Sequence, residues 1–272
     1  MDRLRGYITS NMFSIKRMIK MARVLTKLLL TLIVILFANQ SFAEKIPTLT
    51  LKDIQDLQDL EDLENGLQDG KEAVKLLRLA AEKGNAEAQI MLGKIYSKAF
   101  YGLIGVPRDA KEGTKWYRLA AEQGHIRAQF WLGSSYDFGN GVPKNHKEAV
   151  KWYRLAAEQG DASSQSMLGH HYSSGEGFVQ DYKEALKWYR LAAEQGDALA
   201  QKGLGDLHKE GQGVPQNYAI AHMWYNLSAT NGWKYLRTFR DNLSKKMTSA
   251  AIEKAQDMAN ECMNRNYKRC GY

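Results

Sequence analysis

The ten-residue string KWYRLAAEQG occurs three times in this chain, at residues 115–124, 151–160 and 187–196. Two degenerate copies, KLLRLAAEKG at 75–84 and MWYNLSATNG at 223–232, extend the series. The glycines that close successive copies are 40, 36, 36 and 36 residues apart. A period in this range is typical of repeat proteins, in which each unit packs only against its neighbours. The repeat therefore limits the fold of the chain more than any other feature.

Each period predicts two α-helices joined by a turn. The first, helix A, carries the recurring string, in which Ala149, Tyr153 and Ala156 follow one another at intervals of three and four residues. That spacing places large and small side chains on one buried stripe of a helix. The second, helix B, carries the pattern AQxxLGxxY, whose leucine holds the same place in each unit: Leu92, Leu132, Leu168 and Leu204. The chain is therefore predicted to be all-α.

Residues at the predicted helix ends support this division. An Asp or Asn followed three residues later by Glu predicts a capping box at the start of helix A. The pairs are Asp69/Glu72, Asp109/Glu112, Asn145/Glu148 and Asp181/Glu184. The glycine that closes each copy suits the left-handed position after a helix. The residue after that glycine is the predicted N-cap of helix B: Asn85, His125, Asp161 and Asp197.

The formal net charge of +8 arises largely at the N-terminus. Residues 1–43 hold seven basic side chains and one acid, and the apolar run Leu28 to Phe37 follows the last of them. Ser41 and Ala43 then supply small residues at the −3 and −1 positions of a cleavage site. Ten apolar residues are too few for a membrane span, which needs about twenty. We predict an exported, periplasmic or secreted protein without stable membrane insertion after cleavage; an uncleaved anchor is the alternative.

The two recurring patterns together resemble the Sel-1-like repeat, a tetratricopeptide-related α/α unit of about 36 residues. The resemblance covers roughly residues 67 to 232. Departures are local, such as Phe178-Val179 in place of Val-Pro and His208 in place of the helix B tyrosine. The resemblance implies an α/α solenoid (superhelix) of about four to five helix-turn-helix repeats. It also implies that the protein recognises a protein or peptide partner.

Both ends of the solenoid are predicted to be capped, because terminal repeats would otherwise expose their stacking faces. Leucines among acidic residues predict an amphipathic N-terminal capping helix, and Leu236, Phe239 and Leu243, followed by a helix that Thr248 caps, predict a C-terminal cap. The predicted segments are the signal peptide 1–43, the N-terminal cap 44–70, repeats at 71–109, 110–145, 146–181 and 182–217, and a degenerate repeat with the C-terminal cap at 218–272.

Cys262 and Cys270 are the only cysteines of the chain. In an oxidising compartment they favour an intramolecular disulfide that ties down the C-terminal tail. Free thiols and an intermolecular bond remain open alternatives.

No pattern in the sequence predicts a cofactor, a metal ion or a catalytic centre. His170 and His171 are adjacent, but neighbours on a helix point about 100° apart, so solvated or packed histidines are favoured over metal ligands. The chain lacks the HExxH, CxxC, GxSxG and GK[ST] motifs.

Some exported relatives carry a β-lactamase or penicillin-binding label, which implies a cell-wall-related or β-lactam-acting hydrolase as the alternative function. No serine is followed by lysine three residues later, as such serine enzymes require, so we predict a protein that is not an enzyme.

Nucleic acid is not the predicted partner, although residues 71–272 carry a net charge of about +8, because the eight acids and two lysines of residues 44–70 offset the basic N-terminal segment in the total. The arginine of the recurring string appears once per unit, as expected of a repeat residue. It can pair with the glutamate four residues on, as Arg118 can with Glu122. An exported protein also meets little nucleic acid.

Residues that depart from the repeat are the better candidates for partner binding, because the recurring aromatics are expected in the core. Apolar and aromatic side chains in an irregular loop are typical of interaction sites, although packing onto the N-terminal helix explains them equally well. The candidates are Phe100, Tyr101, Leu103 and Ile104 in the insertion of the first loop, Phe130 and Trp131, and His170 and His171. The predicted function is an exported scaffold for protein–protein or protein–peptide interaction in the bacterial envelope or extracellular space.

Overall fold

A computed structural model describes residues 66–97 and 107–271 of the chain. Compact packing divides the chain into residues 1–71 and residues 72–272, and nearly all of the described residues belong to the second unit. The described residues form only α-helices: α1 (Gly66–Glu82), α2 (Ala86–Ser97), α3 (Ala110–Glu122), α4 (Ile126–Phe138), α5 (His146–Glu158), α6 (Ala162–Ser174), α7 (Tyr182–Ala193), α8 (Ala198–Glu210), α9 (Tyr218–Thr230), α10 (Leu236–Ser244) and α11 (Ser249–Asn264). Within these ranges, no helix combines the length and apolarity of a membrane span.

The helices alternate as the repeat predicts. Odd-numbered helices from α1 to α9 carry the recurring string and are the A helices; α2, α4, α6 and α8 are the B helices. From α3 to α9, each helix packs against both the helix before it and the helix after it in the chain. The final helices, α10 and α11, both pack against α9. This arrangement confirms the predicted all-α solenoid.

Side-chain caps start most A helices at the predicted residues. The side chains of Asp109, Asn145 and Asp181 accept a hydrogen bond from the backbone amide three residues on. The reciprocal half of the capping box is absent at these three helices. Instead, the amide of each cap donates to a backbone carbonyl near the end of the preceding B helix, as Asn145 does to Tyr136 at 2.8 Å. The cap therefore joins two helices of the solenoid as well as closing one helix end.

Two predicted caps are wrong. Helix α1 begins at Gly66, so Asp69 lies inside the helix, because extending an existing helix backwards by one turn costs far less than starting a new one. His125 makes no side-chain cap at α4; its Nε2 lies 2.8 Å from Glu87 Oε1, and this contact turns the ring towards the preceding B helix. The other three B helices are capped as predicted, by Asn85, Asp161 and Asp197.

In each A helix from α3 to α9, a tyrosine packs directly against the backbone of the preceding B helix. The four rings, which belong to Tyr117, Tyr153, Tyr189 and Tyr225, are at most 4% exposed. Each ring lies over the glycine of the Leu-Gly pair in helix B, at Gly93, Gly133, Gly169 and Gly205. A β-carbon on Gly169 would lie 2.5 Å from Tyr189 Cδ1, which is closer than real side-chain contacts allow. Glycine at this position therefore sets the distance between the two helices.

Glutamine side chains connect successive units through a buried ladder of hydrogen bonds. Gln165 in α6 donates to the carbonyl of Ala157 at 3.0 Å and accepts from Gln195, at the end of α7, at 2.9 Å. The same two bonds recur one unit earlier, at Gln129 and Gln159. The carbonyl of Ala157 also accepts from the amide of Gly160, so the glutamine supplies a second donor at the C-terminal end of the A helix. The ladder therefore fixes the register between units.

The loop after helix B returns the chain towards the preceding A helix. Gly139 and Gly141 both adopt positive φ angles, of 69° and 78°. A β-carbon at Gly141 would lie 2.0 Å from the carbonyl oxygen of Ala110. The second glycine is therefore required both for its backbone conformation and for the close contact with α3.

We predict that Gly169→Ala destabilises the protein, although alanine is normally the better helix former by about 1 kcal/mol. Its methyl group would overlap the Tyr189 ring, and overpacking of this kind costs about 1–3 kcal/mol. The free energy of unfolding from urea denaturation tests this. When Tyr189 is replaced by Leu, the further change Gly169→Ala should lower the free energy of unfolding by less than it does in the native protein. A stabilised single variant would contradict the steric explanation.

Candidate functional sites

The insertion loop that holds the candidates Phe100, Tyr101, Leu103 and Ile104 lies outside the described residues. Its role in partner binding therefore stays a prediction.

Phe130 and Trp131 lie on α4 and are both half-buried. The two rings meet edge to face with centroids 5.1 Å apart. Trp131 stacks on Tyr117 at 6.1 Å, while Phe130 contacts Tyr153 at 5.8 Å. Each side chain thus covers the tyrosine of a different A helix. They link two parts of the core and retain a partly exposed aromatic edge.

The structure separates the adjacent histidines. His170 is exposed, whereas the side chain of His171 is fully buried. The ring of His171 faces two residues that the sequence did not single out, Asp137 near the end of α4 and His146 at the start of α5. Three successive helices therefore contribute to one polar cluster, which we call the Asp137 cluster.

Distances within the Asp137 cluster are short. Asp137 Oδ1 lies 2.7 Å from His146 Nδ1 and 3.2 Å from His171 Nε2. On its other side, the His171 ring donates from Nδ1 to the backbone carbonyl of Glu176 at 2.9 Å. The Tyr153 hydroxyl lies 3.5 Å from Asp137 Oδ2. Every member of the cluster is thus oriented by a neighbour on another element.

Burial and charge act in opposite directions within the cluster. Burial tends to raise the pKa of Asp137, but the neighbouring rings of His171 and then His146 outweigh it and lower that pKa. Burial likewise tends to lower the pKa of His171, yet the Asp137 carboxylate outweighs it and raises that pKa. Burial, with the charge of Asp137, also raises the pKa of Tyr153, so its hydroxyl remains a donor. The carboxylate is consequently held ionised in a largely buried setting.

This cluster occurs in a single place in the repeat. The residues equivalent to Asp137, His146 and His171 one unit earlier are Ser97, Ala110 and Ser135, and one unit later they are Ser173, Tyr182 and Leu207. Comparing every position across the units would have shown these three departures. Their meeting point depends on how α4, α5 and α6 pack, which a single sequence does not reveal.

A shallow groove lies beside α5, where the loop after α6 departs from the Gly-Val-Pro sequence. Its apolar part is formed by Val150, Leu155 and Phe178. Its rim carries three cationic side chains: Lys147, Lys151 and Arg154. Lys151 pairs with Glu148, and Arg154 donates to the hydroxyl of Tyr172 rather than to a carboxylate, so the rim keeps a net positive charge.

Leu155 also belongs to a row of exposed leucines. In the first four copies of the recurring string, one leucine is 42–49% exposed on its A helix: Leu79, Leu119, Leu155 and Leu191. The row places one apolar side chain on each of these four units, at the same position of the helix. The groove at Phe178 is thus a local deepening of a repeated surface.

The row of repeat arginines differs from the sequence prediction. Arg118 donates to the Tyr136 hydroxyl at 2.5 Å rather than pairing with Glu122. Glu122 is exposed to solvent, where an ion pair gains little free energy, whereas the phenol on the packed B helix offers a fixed acceptor. Arg78 and Arg154 make the same bond to Tyr96 and Tyr172. These arginines therefore hold helices A and B together.

Comparison with known proteins agrees with this architecture. The Sel1 repeat matches residues 63–85, 86–125, 126–161, 162–197 and 198–233. This protein belongs to the Sel1 repeat family. A Sel1 repeat protein from Oxalobacter formigenes is 40% identical over 61% of this chain and 70% of its own, with a TM-score of 0.51. No curated protein matches significantly.

A second structure with the Sel1-like repeat (SLR) fold is c5321, a protective antigen present in uropathogenic Escherichia coli strains. It is 33% identical over 72% of this chain, with a TM-score of 0.65. The match spans 42% of the length of that antigen. Sel1 repeats generally mediate protein interactions, which supports a scaffold role for the repeats of this chain.

The C-terminal tail is fastened to the last repeat. Cys262, in α11, and Cys270 form a disulfide, and both side chains are buried in the core around α7 and α9. Tyr267 lies between the two cysteines in the sequence, and its hydroxyl donates to Asn231 Oδ1 at 2.8 Å. The backbone amide of Arg269 donates to Glu194. The tail therefore folds back over the end of the solenoid.

We predict that Cys262→Ala/Cys270→Ala lowers the free energy of unfolding by about 2–3 kcal/mol, because the open loop gains entropy in the unfolded chain. Urea denaturation followed by circular dichroism measures this loss. A reducing agent should destabilise the native protein by a similar amount and leave the double variant unchanged. If reduction does not shift the native midpoint, the disulfide does not stabilise the fold.

Proposed function

We propose that this protein is an exported, non-enzymatic Sel1 repeat scaffold that binds a protein or peptide partner in the bacterial envelope or outside the cell. The observation that carries the proposal is the groove formed by Val150, Leu155 and Phe178 with its cationic rim. The basic segment, the apolar run and the small residues that end at Ala43 support export.

The chemistry of the groove specifies a kind of partner. Its apolar part accommodates a hydrophobic side chain, and the rim of Lys147, Lys151 and Arg154 complements acidic groups beside it. A peptide segment that combines one large apolar residue with neighbouring Asp or Glu fits both parts. Because α5 carries most of the groove residues, little ordering free energy is lost when the partner binds.

Neighbouring surfaces extend the proposed site along the solenoid. The exposed leucines on the two preceding A helices, Leu79 and Leu119, offer one further apolar contact per unit. On α4, the exposed edges of Phe130 and Trp131 are a second proposed contact. The insertion loop with Tyr101 and the exposed ring of His170 remain proposed contacts as well. An extended partner would thus contact several units at once.

Photo-cross-linking in intact cells tests the groove. A photoreactive residue replaces Leu155, and in a matched control it replaces Leu191, which holds the equivalent place in the next unit with similar exposure, 42% against 44%. We expect a discrete adduct from position 155 and not from position 191. Adding Lys147→Glu/Lys151→Glu should reduce the adduct at least about tenfold, which corresponds to 1.4 kcal/mol. The same proteins captured from both positions would reject the groove as the binding site.

The intact mass of the protein in fractionated cells and culture medium tests export. We expect a chain that begins at Glu44, recovered from the periplasm or the medium, because the sequence places a cleavage site after Ala43. A version with Ala43→Arg should retain the N-terminal segment. A full-length native chain in the cytoplasm would refute export and would leave the result for the groove intact.

A further inference from the structure

We propose that Asp137, His146 and His171 form a binding site for one divalent transition-metal ion of the Zn²⁺ class. Two imidazoles and one carboxylate are a ligand set that suits such ions. The donor atoms of all three residues lie within 4.8 Å of one another. The proposal stands on this cluster and is independent of the partner-binding groove.

The spacing of the donor atoms is close to what the ion requires. Metal–ligand bonds of about 2.0–2.2 Å in a tetrahedral site separate the ligand atoms by about 3.4 Å. Asp137 Oδ1 lies 3.2 Å from His171 Nε2, so this pair already has that spacing. His146 Nδ1 lies 2.7 Å from Asp137 Oδ1 and within 4.8 Å of His171 Nε2, so it has to move away from Asp137 and towards His171 by at most about 1.4 Å. Its side chain is 25% exposed, which gives it room to do so.

The surroundings of His171 leave one ring nitrogen ready to bind. Nδ1 donates to the Glu176 carbonyl, so that nitrogen carries a proton, and Nε2, which lies 3.2 Å from Asp137 Oδ1, is the nitrogen that would bind the ion in its deprotonated form. Nε2 is buried and has no aligned hydrogen-bond partner among the described residues. A backbone carbonyl behind a histidine is the usual support for a metal-binding ring. The Tyr153 hydroxyl near Asp137 Oδ2 supports the carboxylate in the same way.

Solenoid packing alone does not explain the cluster. The same positions in the neighbouring units hold serine, alanine, tyrosine or leucine, and those units make the same helix contacts. Burying the side chains of Asp137 and His171 is costly unless they are paired, as they are here, or bind an ion. A polar cluster that only one unit of a regular array carries is a candidate ligand site.

The site has an open side at which a fourth ligand can bind. Asp137 and His171 are 6% and 0% exposed, whereas the His146 ring reaches solvent. Three protein ligands leave one tetrahedral position for water or for a donor atom from another molecule. A bound ion would also connect α4, α5 and α6 directly, and it should therefore raise the unfolding temperature of the protein.

Cobalt titration of the tag-free, metal-stripped mature protein tests the site, because tetrahedral Co²⁺ has a strong visible absorption and replaces Zn²⁺ at such sites. We expect one equivalent to bind, Zn²⁺ to displace it, and Zn²⁺ to raise the unfolding temperature. His146→Tyr and Asp137→Ser, which install residues that other units carry, should each weaken binding at least about tenfold. Circular dichroism confirms that these variants fold.

His170→Ser is the matched control, since it removes the adjacent exposed histidine and installs the residue found at Ser134. It should bind cobalt like the native protein. The proposal is overturned if no saturable one-to-one binding occurs. It is equally overturned if folded His146→Tyr binds the ion as tightly as the native protein, or if binding is lost in His170→Ser.

Discussion

The close contact between a tyrosine ring and a glycine backbone determines the spacing of the whole solenoid. At Tyr189 the ring lies between two glycines, Gly169 in α6 and Gly203 in α8, and a β-carbon on either would lie 2.5 Å from it. One aromatic side chain thus sets the distance of its own helix from two others. Small residues on one helix and a flat ring on the next allow the backbones to approach closely while the interior stays densely packed. The helix caps, the glutamine ladder and the loop contacts then form between helices whose separation this contact has fixed.

Polar groups provide the specificity that apolar packing lacks. Between the units from α2 to α7, the glutamine ladder places a buried amide that binds a helix-end carbonyl on one side and another glutamine on the other. A unit displaced by one residue would leave these donors and acceptors unpaired in the interior, at a cost of about 1–3 kcal/mol each. In the last unit, Asn231 stands where the other units have the second glutamine. Its shorter side chain still donates to Gln201 Oε1, at 3.0 Å.

The sequence predicted the fold well because the repeat supplies several aligned copies within one chain. Residues whose role is local, such as the cap Asp109 and the glycine Gly124 after α3, were found from spacing alone. Residues whose role depends on contact between helices were not. Gln165 and Gln195 belong to the recurring sequence patterns, but their hydrogen bond joins residues 30 positions apart and follows from the packing of α6 against α7. The sequence predicted Glu122, on the same helix, as the partner of Arg118, because spacing along one helix can be deduced from sequence. The observed partner, Tyr136, lies on the next helix, and its proximity depends on helix packing.

The tail that folds back over α7 and α9 closes the C-terminal end of the array. Near-identical copies at a 36-residue period are units that can multiply or be lost without changing their contacts. Behind α9, however, α10, α11 and the bridged tail occupy the face on which another unit would stack. Over evolutionary time an array of this kind can change length among its inner units, while its C-terminal end remains a fixed terminus. Surfaces formed between inner units, including the groove beside α5, are then the part of the protein most open to variation between relatives.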